Sequence, residues 1–529
     1  MFVLLAGCLC VMTVALTAVL VLWGFAIYQL STLWYSITEY SYGWFVPVLC
    51  LCLFWERWKR KPAPMPPSAT TGATLVCAVL VSGLALAALF LEALPGWRAA
   101  AWALGLQVIG LTMIIFYLVG GPPWLRHFAF PIFFFLIAIP WHPRLEMPVI
   151  EHLSKLNAAI STWLANVLGT PAIRKGVLIE TGSGLVGIDD ACSGIRSFQA
   201  ALMVALFLGE LFRYGLLRRL LFVAGGAVLA FAGNVARTTF LVRVCDLRGN
   251  SAVNLYHDPA GFSILLATLA GLLLLAWVLR RREPAPVESA IASPADVVAP
   301  ASTTGANTAF LFAAIVGSVM LVSVGFEFWF RSGERSVSKT AAWSVKTAAQ
   351  GDTETRPLSE DIREKLRFDE GVHLSWATPS GQSWELFYLR WLPANNRYRA
   401  NETLHQARGH STDLCLQLAG MTLQTNLGVK LETINGISLL TKTERYLDRG
   451  LAVYVFSGYW EPDAASLQEQ GFLNPARGAR LRQAFRAIAH RDRGRAEKRV
   501  FKIAVSGIDS DEHALLAFDE VLQKLIGPG

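Results

Sequence analysis

Three side chains with the chemistry of a nucleophilic enzyme stand far apart in the sequence: Cys192, Arg237 and His257. A cysteine attacks as its thiolate, and a neutral imidazole nearby can take up the thiol proton and later return it. A guanidinium is a permanent cation that can stabilise the negative charge on an attacked carbonyl oxygen. The three residues therefore predict covalent cysteine catalysis, provided that the fold brings them together.

The segment 187–200, GIDDACSGIRSFQA, favours Cys192 as the nucleophile. The cysteine and Ser193 precede an apolar stretch that predicts a helix, and a helix N-terminus carries partial positive charge that stabilises a thiolate. Arg196, one turn further on, adds positive charge. Gly194 would let a substrate backbone approach closely.

Each of the three residues also has a structural interpretation. Cys192 could be a small buried residue at a helix start, and the carboxylates of Asp189 and Asp190 would raise the pKa of its thiol. Arg237 could extend to the membrane interface, and His257 could be an ordinary loop residue, with Tyr256 and Asp258 shaping the turn that follows it. An arginine in an apolar stretch is nevertheless costly unless it is paired or lines a wet cavity, which favours a function.

The residues that must position this site are those of a membrane domain. The chain is 53% hydrophobic and 16% charged, its first 38 residues carry no charged side chain, and more than half of its charged residues lie within 331–529. Apolar stretches near the length that a bilayer demands predict spans at 3–28, 42–55, 70–91, 99–120, 127–141, 197–213, 219–241, 261–279 and 308–329. The sequence thus predicts a polytopic α-helical membrane protein with about eight core transmembrane helices and a ninth tethering span.

Basic residues cluster in every second connection between these spans, which places those connections in the cytoplasm of an inner-membrane protein. They are Arg57, Lys59, Arg60, Lys61, Arg126, Arg213, Arg218, Arg219, Arg280, Arg281 and Arg282. The connections 29–41, 92–98, 142–196 and 242–260 are then extracytoplasmic loops. Cys192 ends one such loop, Arg237 lies near the outer end of its span with Asn234 on the same helix face, and His257 lies in the next outer loop. All three reactive residues are predicted at one depth.

A soluble domain follows the membrane domain, which we assign to residues 1–282. Residues 283–307 are rich in Pro, Ala and Ser and predict a flexible linker, with 308–329 as a transmembrane tether. Residues 330–529 predict an extracytoplasmic α+β domain, with strands at 383–392, 437–441 and 451–458, and helices at 475–490 and 510–526, the last capped by Ser510. The basic stretch 477–499 indicates either a solvated helix face or a site for anionic glycans or lipid headgroups.

The motifs around the three reactive residues resemble those of the exosortase/archaeosortase family of membrane transpeptidases. The resemblance covers roughly 30–280 and rests on EYSYGWFVPVLCLCLFW at 39–55, ACSGIRSF at 191–198, NVARTTFL at 234–241 and HDPAGF at 257–262. The family's catalytic Cys, Arg and His fall on Cys192, Arg237 and His257. Archaeal members carry a second arginine at the last position, so the histidine places this chain on the bacterial side.

The resemblance implies a cysteine peptidase that cleaves the C-terminal sorting tail of secreted proteins and transfers the product to a surface acceptor. Such tails carry a Pro-Glu-Pro-like motif, a transmembrane helix and a basic end. Supporting roles are expected of Ser193, Gly194, Arg196 and Asn234. The expected partners are the tailed proteins, membrane lipid and exopolysaccharide machinery; no cofactor, metal or nucleic acid is expected.

The C-terminal region resembles an exosortase-associated domain of exopolysaccharide systems, through RGHSTDLCLQLAGM at 408–421 and YVFSGYWEP at 454–462. The first motif contains His410 and Cys415 but lacks the Pro and Gly-Trp that usually follow the cysteine. This region keeps open a second interpretation, a non-catalytic membrane component of exopolysaccharide assembly or export. An intramembrane metalloprotease is disfavoured, since the sequence has no HExxH motif.

Overall fold

The computed structural model describes residues 2–65, 70–187, 194–279, 302–334, 343–346, 353–358, 362–363, 366–409, 416, 421–448, 450–462 and 478–528. The chain divides into two compact units. The first comprises Met1–Leu91 and Trp97–Gly325, and the second comprises Glu92–Gly96 and Phe326–Gly529. The first unit is mainly helical, and the second is built around a large sheet.

Nine long helices precede the large sheet in the described part of the chain: α1 (Phe2–Ser36), α2 (Val46–Trp58), α3 (Thr70–Ala93), α4 (Arg98–Phe134), α5 (Pro143–Val167), α6 (Ile195–Leu211), α7 (Leu216–Arg248), α8 (Asn250–Leu279) and α9 (Ser302–Glu334). Short 3-10 helices cover Thr38–Trp44 and Phe135–Ala138. Six of the described helices, α1, α3, α4, α7, α8 and α9, are long and apolar enough to cross a membrane. The chain is therefore a multi-pass helical membrane protein with a sheet-rich C-terminal region.

The sequence predicts nine spans, whereas six described helices are long and apolar enough to cross a membrane. Two of the nine are the short helices α2 and α6, and two others are joined in the single kinked helix α4. With 13 and 17 residues, α2 and α6 are about 20 and 25 Å long, less than the ~30 Å of a bilayer core. The predicted spans 99–120 and 127–141 are joined in α4, which bends at Gly121 (φ 69°, ψ −165°) just before Pro122 and Pro123.

The prediction that residues 142–196 form a loop is wrong for the part described. It contains α5 and a small antiparallel sheet of β1 (Ala172–Lys175), β2 (Leu178–Thr181) and β3 (Gly184–Gly187). The pattern of apolar residues did not predict α5, because its buried face carries the polar residues Glu146, Ser154, Asn157 and Ser161. Glu146, Asn157 and Ser161 can be buried because other segments supply their hydrogen-bond partners.

The carboxylate of Glu146 ties the start of α5 to two other segments, and α6 joins them through Tyr40. It accepts a hydrogen bond of 2.7 Å from the Tyr40 hydroxyl and forms an ion pair with Arg98. Arg98 also donates to the carbonyl of Trp141, while Gln199 of α6 donates to the Tyr40 oxygen over 3.0 Å. Burial and the Glu146 carboxylate raise the pKa of Tyr40 above its usual range, so its hydroxyl remains a donor.

The second unit contains a seven-stranded antiparallel sheet in the order β5-β6-β7-β11-β10-β9-β8. Its strands are β5 (Glu354–Arg356), β6 (Glu370–Ala377), β7 (Ser383–Trp391), β8 (Thr422–Ile434), β9 (Ile437–Asp448), β10 (Leu451–Trp460) and β11 (Lys498–Ser506). Helices α10 (Arg397–Gly409), α11 (Ala479–His490) and α12 (Asp511–Leu525) accompany it, and β12 (Ile526–Pro528) pairs with β4 (Trp343–Val345). The three predicted strands are confirmed as β7, the start of β9 and most of β10.

Both predicted helices of the second unit are also confirmed where the structure describes them. Ser510 caps α12 by accepting a hydrogen bond of 3.3 Å from the backbone N–H of His513. Phe518 of this helix stacks on Phe456 of the sheet, with ring centroids 3.9 Å apart. Helix α9 begins at Ser302, inside the stretch predicted as a linker; residues 283–301 of that linker lie outside the described residues.

Replacement of Glu146 by alanine should lower the free energy of unfolding by about 3–5 kcal/mol, because it leaves a buried guanidinium without its counter-ion. The side chains of Arg98 and Glu146 are only 12% and 5% exposed. Thermal unfolding of the purified protein in detergent measures the loss.

Glu151→Ala on the same helix is the matched control. Its ion pair with Lys155 is 42% and 56% exposed and should contribute less than about 1 kcal/mol. Equal destabilisation by the two substitutions would contradict the assignment of Glu146 as the anchor of α5.

Candidate active site

A helical hairpin positions Arg237 and His257. Helix α7 ends at Arg248 and α8 begins at Asn250, and Gly249 joins them with a φ of 79° that suits glycine. Two helices joined so tightly run back along each other, so residues 20 apart in sequence lie side by side. The prediction that His257 occupies an outer loop is wrong: it lies inside α8, whose Pro259 stands within the helix and does not mark its start.

The two side chains are in direct contact. Arg237 Nη2 lies 2.9 Å from His257 Nε2, and it also donates to the His257 carbonyl over 3.3 Å. Since a guanidinium can only donate, the imidazole Nε2 is the acceptor, and the proton of the neutral ring is then on Nδ1. Nδ1 lies 2.9 Å from Asp258 Oδ1. Asp258 therefore orients the imidazole, a role that its position next to His257 in sequence did not indicate.

Arg237 has a further donor available. Its Nε is buried and has no hydrogen-bond partner among the residues that the structure describes. A Cβ added to Gly261 of α8 would lie 3.3 Å from Arg237 Nη2, so this glycine leaves room for the guanidinium. A half-buried guanidinium with a spare N–H can stabilise an oxyanion, because hydrogen bonds to charge are stronger away from water.

The start of α6 approaches the helix face that carries Arg237. Gly194, the N-cap of α6, has a φ of 87°, and a Cβ there would lie 2.6 Å from the amide nitrogen of Asn234. Asn234 is 1% exposed and precedes Arg237 by one helical turn. Arg196, in the first turn of α6, is exposed.

Residues 188–193 of the predicted site segment lie outside the described residues, and they include Asp189, Asp190, Cys192 and Ser193. The same holds for His410 and Cys415 in the second unit. The structure therefore brings His257 against Arg237 and, separately, Gly194 against Asn234. Arg237 and Asn234 lie one turn apart on α7. The participation of Cys192 and Ser193 remains a prediction.

Helix α5 holds a neighbouring face of α7 through buried polar contacts. Asn157 donates to Thr238 Oγ1 over 2.9 Å, and Ser161 contacts both Asn157 Oδ1 at 2.9 Å and the carbonyl of Val235 at 3.3 Å. These contacts fix the turn that carries Arg237. The spacing of Ser154, Asn157 and Ser161 on one helical face was a signal for them in the sequence. Within the described ranges, no three His, Cys, Asp or Glu side chains could hold a metal ion.

The basic stretch 477–499 of the second unit is not simply a solvated face. Arg499 is 2% exposed, and its guanidinium lies over Trp343 and Trp460 at 4.3 and 5.3 Å from the ring centroids. Lys498 is buried and donates to two backbone carbonyls, and Arg493 pairs with Glu327. These three cations are part of the structure of the second unit.

A Gly194→Ala substitution tests the close approach of α6 to Asn234. The positive φ should cost about 1 kcal/mol for any residue with a side chain, and the collision with Asn234 about 1–3 kcal/mol more. Gly169→Ala is the control, since Gly169 has a φ of 81° but nothing within 4 Å of an added Cβ. Equal melting temperatures of the two purified variants would refute the contact.

The comparisons with known proteins bear on the first unit. Residues 34–275 match the family model described as transmembrane exosortase (Exosortase_EpsH). The match contains Cys192, Arg237 and His257 and does not reach residues 330–529. No curated protein and no solved structure matches the chain. The membrane domain of this chain belongs to the transmembrane exosortase family, a family of membrane protein-sorting transpeptidases.

Proposed function

We propose that the chain is a cysteine transpeptidase of the inner membrane, with Cys192 as nucleophile and Arg237 and His257 as its catalytic partners. The contact of 2.9 Å between Arg237 and His257 carries the proposal. Covalent geometry limits the Cα atoms of Cys192 and Gly194 to about 7 Å apart, and Gly194 packs on Asn234, one turn from Arg237. The connectivity of the chain thus supports a thiol within reach of the pair.

His257 acts as the general base and then as the general acid. Its Nε2 lone pair is held by Arg237 in this structure, so it can take the Cys192 proton only after the guanidinium has turned to another acceptor. A substrate supplies that acceptor, either the attacked carbonyl oxygen or the carboxylate of a glutamate beside it. Binding of the correct tail therefore frees the base and engages the oxyanion donor in a single movement.

The reaction proceeds through a thioester. The Cys192 sulfur adds to the carbonyl carbon, and Arg237 stabilises the resulting oxyanion. The C–N bond breaks as the leaving amine takes its proton from the His257 imidazolium, and Asp258 stabilises that cation. An acceptor nucleophile then gives its proton to His257 and attacks the thioester, which restores the thiol.

The substrate is the C-terminal sorting tail of a secreted protein, with a Pro-Glu-Pro-like motif followed by a transmembrane helix and a basic end. The tail binds as an additional helix, and its motif reaches the extracytoplasmic end of the bundle. Residues 330–529 form an extracytoplasmic domain on the side where the product is released. There they take part in transfer to a surface acceptor and in contacts with exopolysaccharide machinery.

Replacement of Cys192 by alanine should abolish processing while leaving the protein in the membrane, because it removes the sulfur that forms the thioester. Mass spectrometry of the mature C-terminus of a tailed substrate, made with and without the variant, measures this. Cys52→Ala, at an exposed cysteine of α2, should process at the wild-type rate. Continued cleavage by the Cys192 variant would remove it as the nucleophile.

Variants of the Arg237–His257–Asp258 chain should rank in a defined order. Arg237→Lys keeps the charge but loses the planar fork, so kcat/KM should fall about 10²–10³-fold, as expected for the loss of an oxyanion donor. Asp258→Asn should cost less than about tenfold, since the Asp258 side chain is 92% exposed and water screens its charge.

The control for this series is Arg243→Gln, six residues further along α7. Arg243 is exposed and donates to the carbonyl of Leu168, so its loss should leave kcat/KM within about twofold. A larger effect at Arg243 than at Arg237 would contradict the proposed catalytic role.

A further inference from the structure

A polar cavity lies among the ends of the helices where basic residues cluster, away from Arg237 and His257. Its volume is about 420 Å³, and its polar lining includes Arg57 of α2, Arg60 just after that helix, His127 of α4, Glu210 of α6, Arg213, and Arg219 of α7. The distribution of basic residues predicts that this end of the bundle faces the cytoplasm. The proposed transpeptidase reaction makes no use of it.

The cavity carries an excess of positive charge. Glu210 accepts hydrogen bonds from Arg57 Nε at 2.9 Å and from Arg219 Nη2 at 2.7 Å, so a single carboxylate serves two guanidinium groups. Arg60 and Arg213 form no ion pair with any described residue. The other lining carboxylate, Glu56, pairs with Lys59 at 2.6 Å. The net positive charge of the lining therefore favours the binding of an anion.

One donor in this lining is buried and unused. Arg219 Nε is inaccessible to solvent and has no hydrogen-bond partner among the described residues. Such donors are normally satisfied, because a buried polar group without a partner is costly. The nearby N-terminus of α7, which starts at Leu216 and has no acidic residue in its first turn, adds partial positive charge.

Arg213 is held in a conformation that its side chain does not favour. It follows α6 and has a φ of 54°, where the backbone of Tyr214 closes the helix by donating to the Gly209 carbonyl over 2.9 Å. Glycine is the usual residue at this position of a helix end, since a side chain is strained there. An arginine at a position suited to glycine places a fourth guanidinium at the cavity.

We propose that this cavity binds the phosphate of an anionic membrane lipid. Guanidinium groups match phosphate oxygens through paired hydrogen bonds, and a volume of about 420 Å³ is that of a small-ligand site. The first turn of α7 also presents Leu216 and Leu217, which are 76% and 72% exposed. This apolar surface suits acyl chains and favours a lipid headgroup over free phosphate as the source of the anion.

Native mass spectrometry of the full chain, titrated with phosphatidylglycerol or phosphatidylcholine in detergent, tests the proposal. One phosphatidylglycerol should bind more tightly than phosphatidylcholine. Arg213→Gly and Arg60→Gln should each raise its Kd about tenfold, the effect of losing one charge-assisted contact. Arg213→Gly also relieves the unfavourable φ, so its melting temperature should equal or exceed that of the wild type.

Arg218→Gln is the matched control, because Arg218 lies in the same turn as Arg219 but does not line the cavity. Its Kd should stay within about twofold of the wild-type value. Equal binding of both lipids, or an equal loss at Arg218, would overturn the proposal. A parallel titration with inorganic phosphate separates the two sources: a loss confined to inorganic phosphate, with phosphatidylglycerol unaffected, would overturn the lipid assignment.

Discussion

The placement of a permanent cation within an apolar helix is the constraint on which the rest of the membrane unit depends. Arg237 stands in a helix long and apolar enough to cross a bilayer, where an unpaired charge is costly. The protein meets this cost locally through the imidazole and carbonyl of His257. This pairing requires α7 and α8 to lie against each other, and the single residue between them, Gly249, enforces that arrangement.

Polar contacts also decide how the other helices pack on this hairpin. In a membrane, apolar side chains are as well solvated by lipid as by protein, so hydrogen bonds and close packing of small residues specify which helices associate. Asn157 and Ser161 of α5 meet α7 in this way, and Gly194 at the start of α6 meets Asn234. Tyr40, Glu146 and Gln199 join α5 and α6 to the segment after α1. The buried polar groups of this unit are its principal specificity contacts.

The sequence was most informative where hydropathy and structure agree. Long apolar stretches predicted α1, α3, α7 and α8, and the alternation of aromatic and branched residues predicted β7 and β10. Apolar stretches did not predict α5, because Glu146 and Asn157 interrupt the apolar pattern at positions that are buried. His257 was assigned to a loop because the apolar stretch that predicts its span begins only at residue 261, whereas α8 begins at Asn250. The flanking spans predicted that Arg237 and His257 lie at one depth, and the two are in contact. The orientation of Asp258 toward the imidazole depends on backbone geometry, which adjacency in the sequence does not reveal.

The unequal surroundings of the two imidazole nitrogens have a consequence for proton balance. Nε2 is covered by a guanidinium, whereas Nδ1 contacts a carboxylate that is 92% exposed. In the proposed mechanism, one edge of the ring serves the reacting groups, and the other opens to the surface of the protein through Asp258. A cycle that ends with a surplus or a deficit of one proton would then be reset at that surface, without a buried relay of side chains through the bundle.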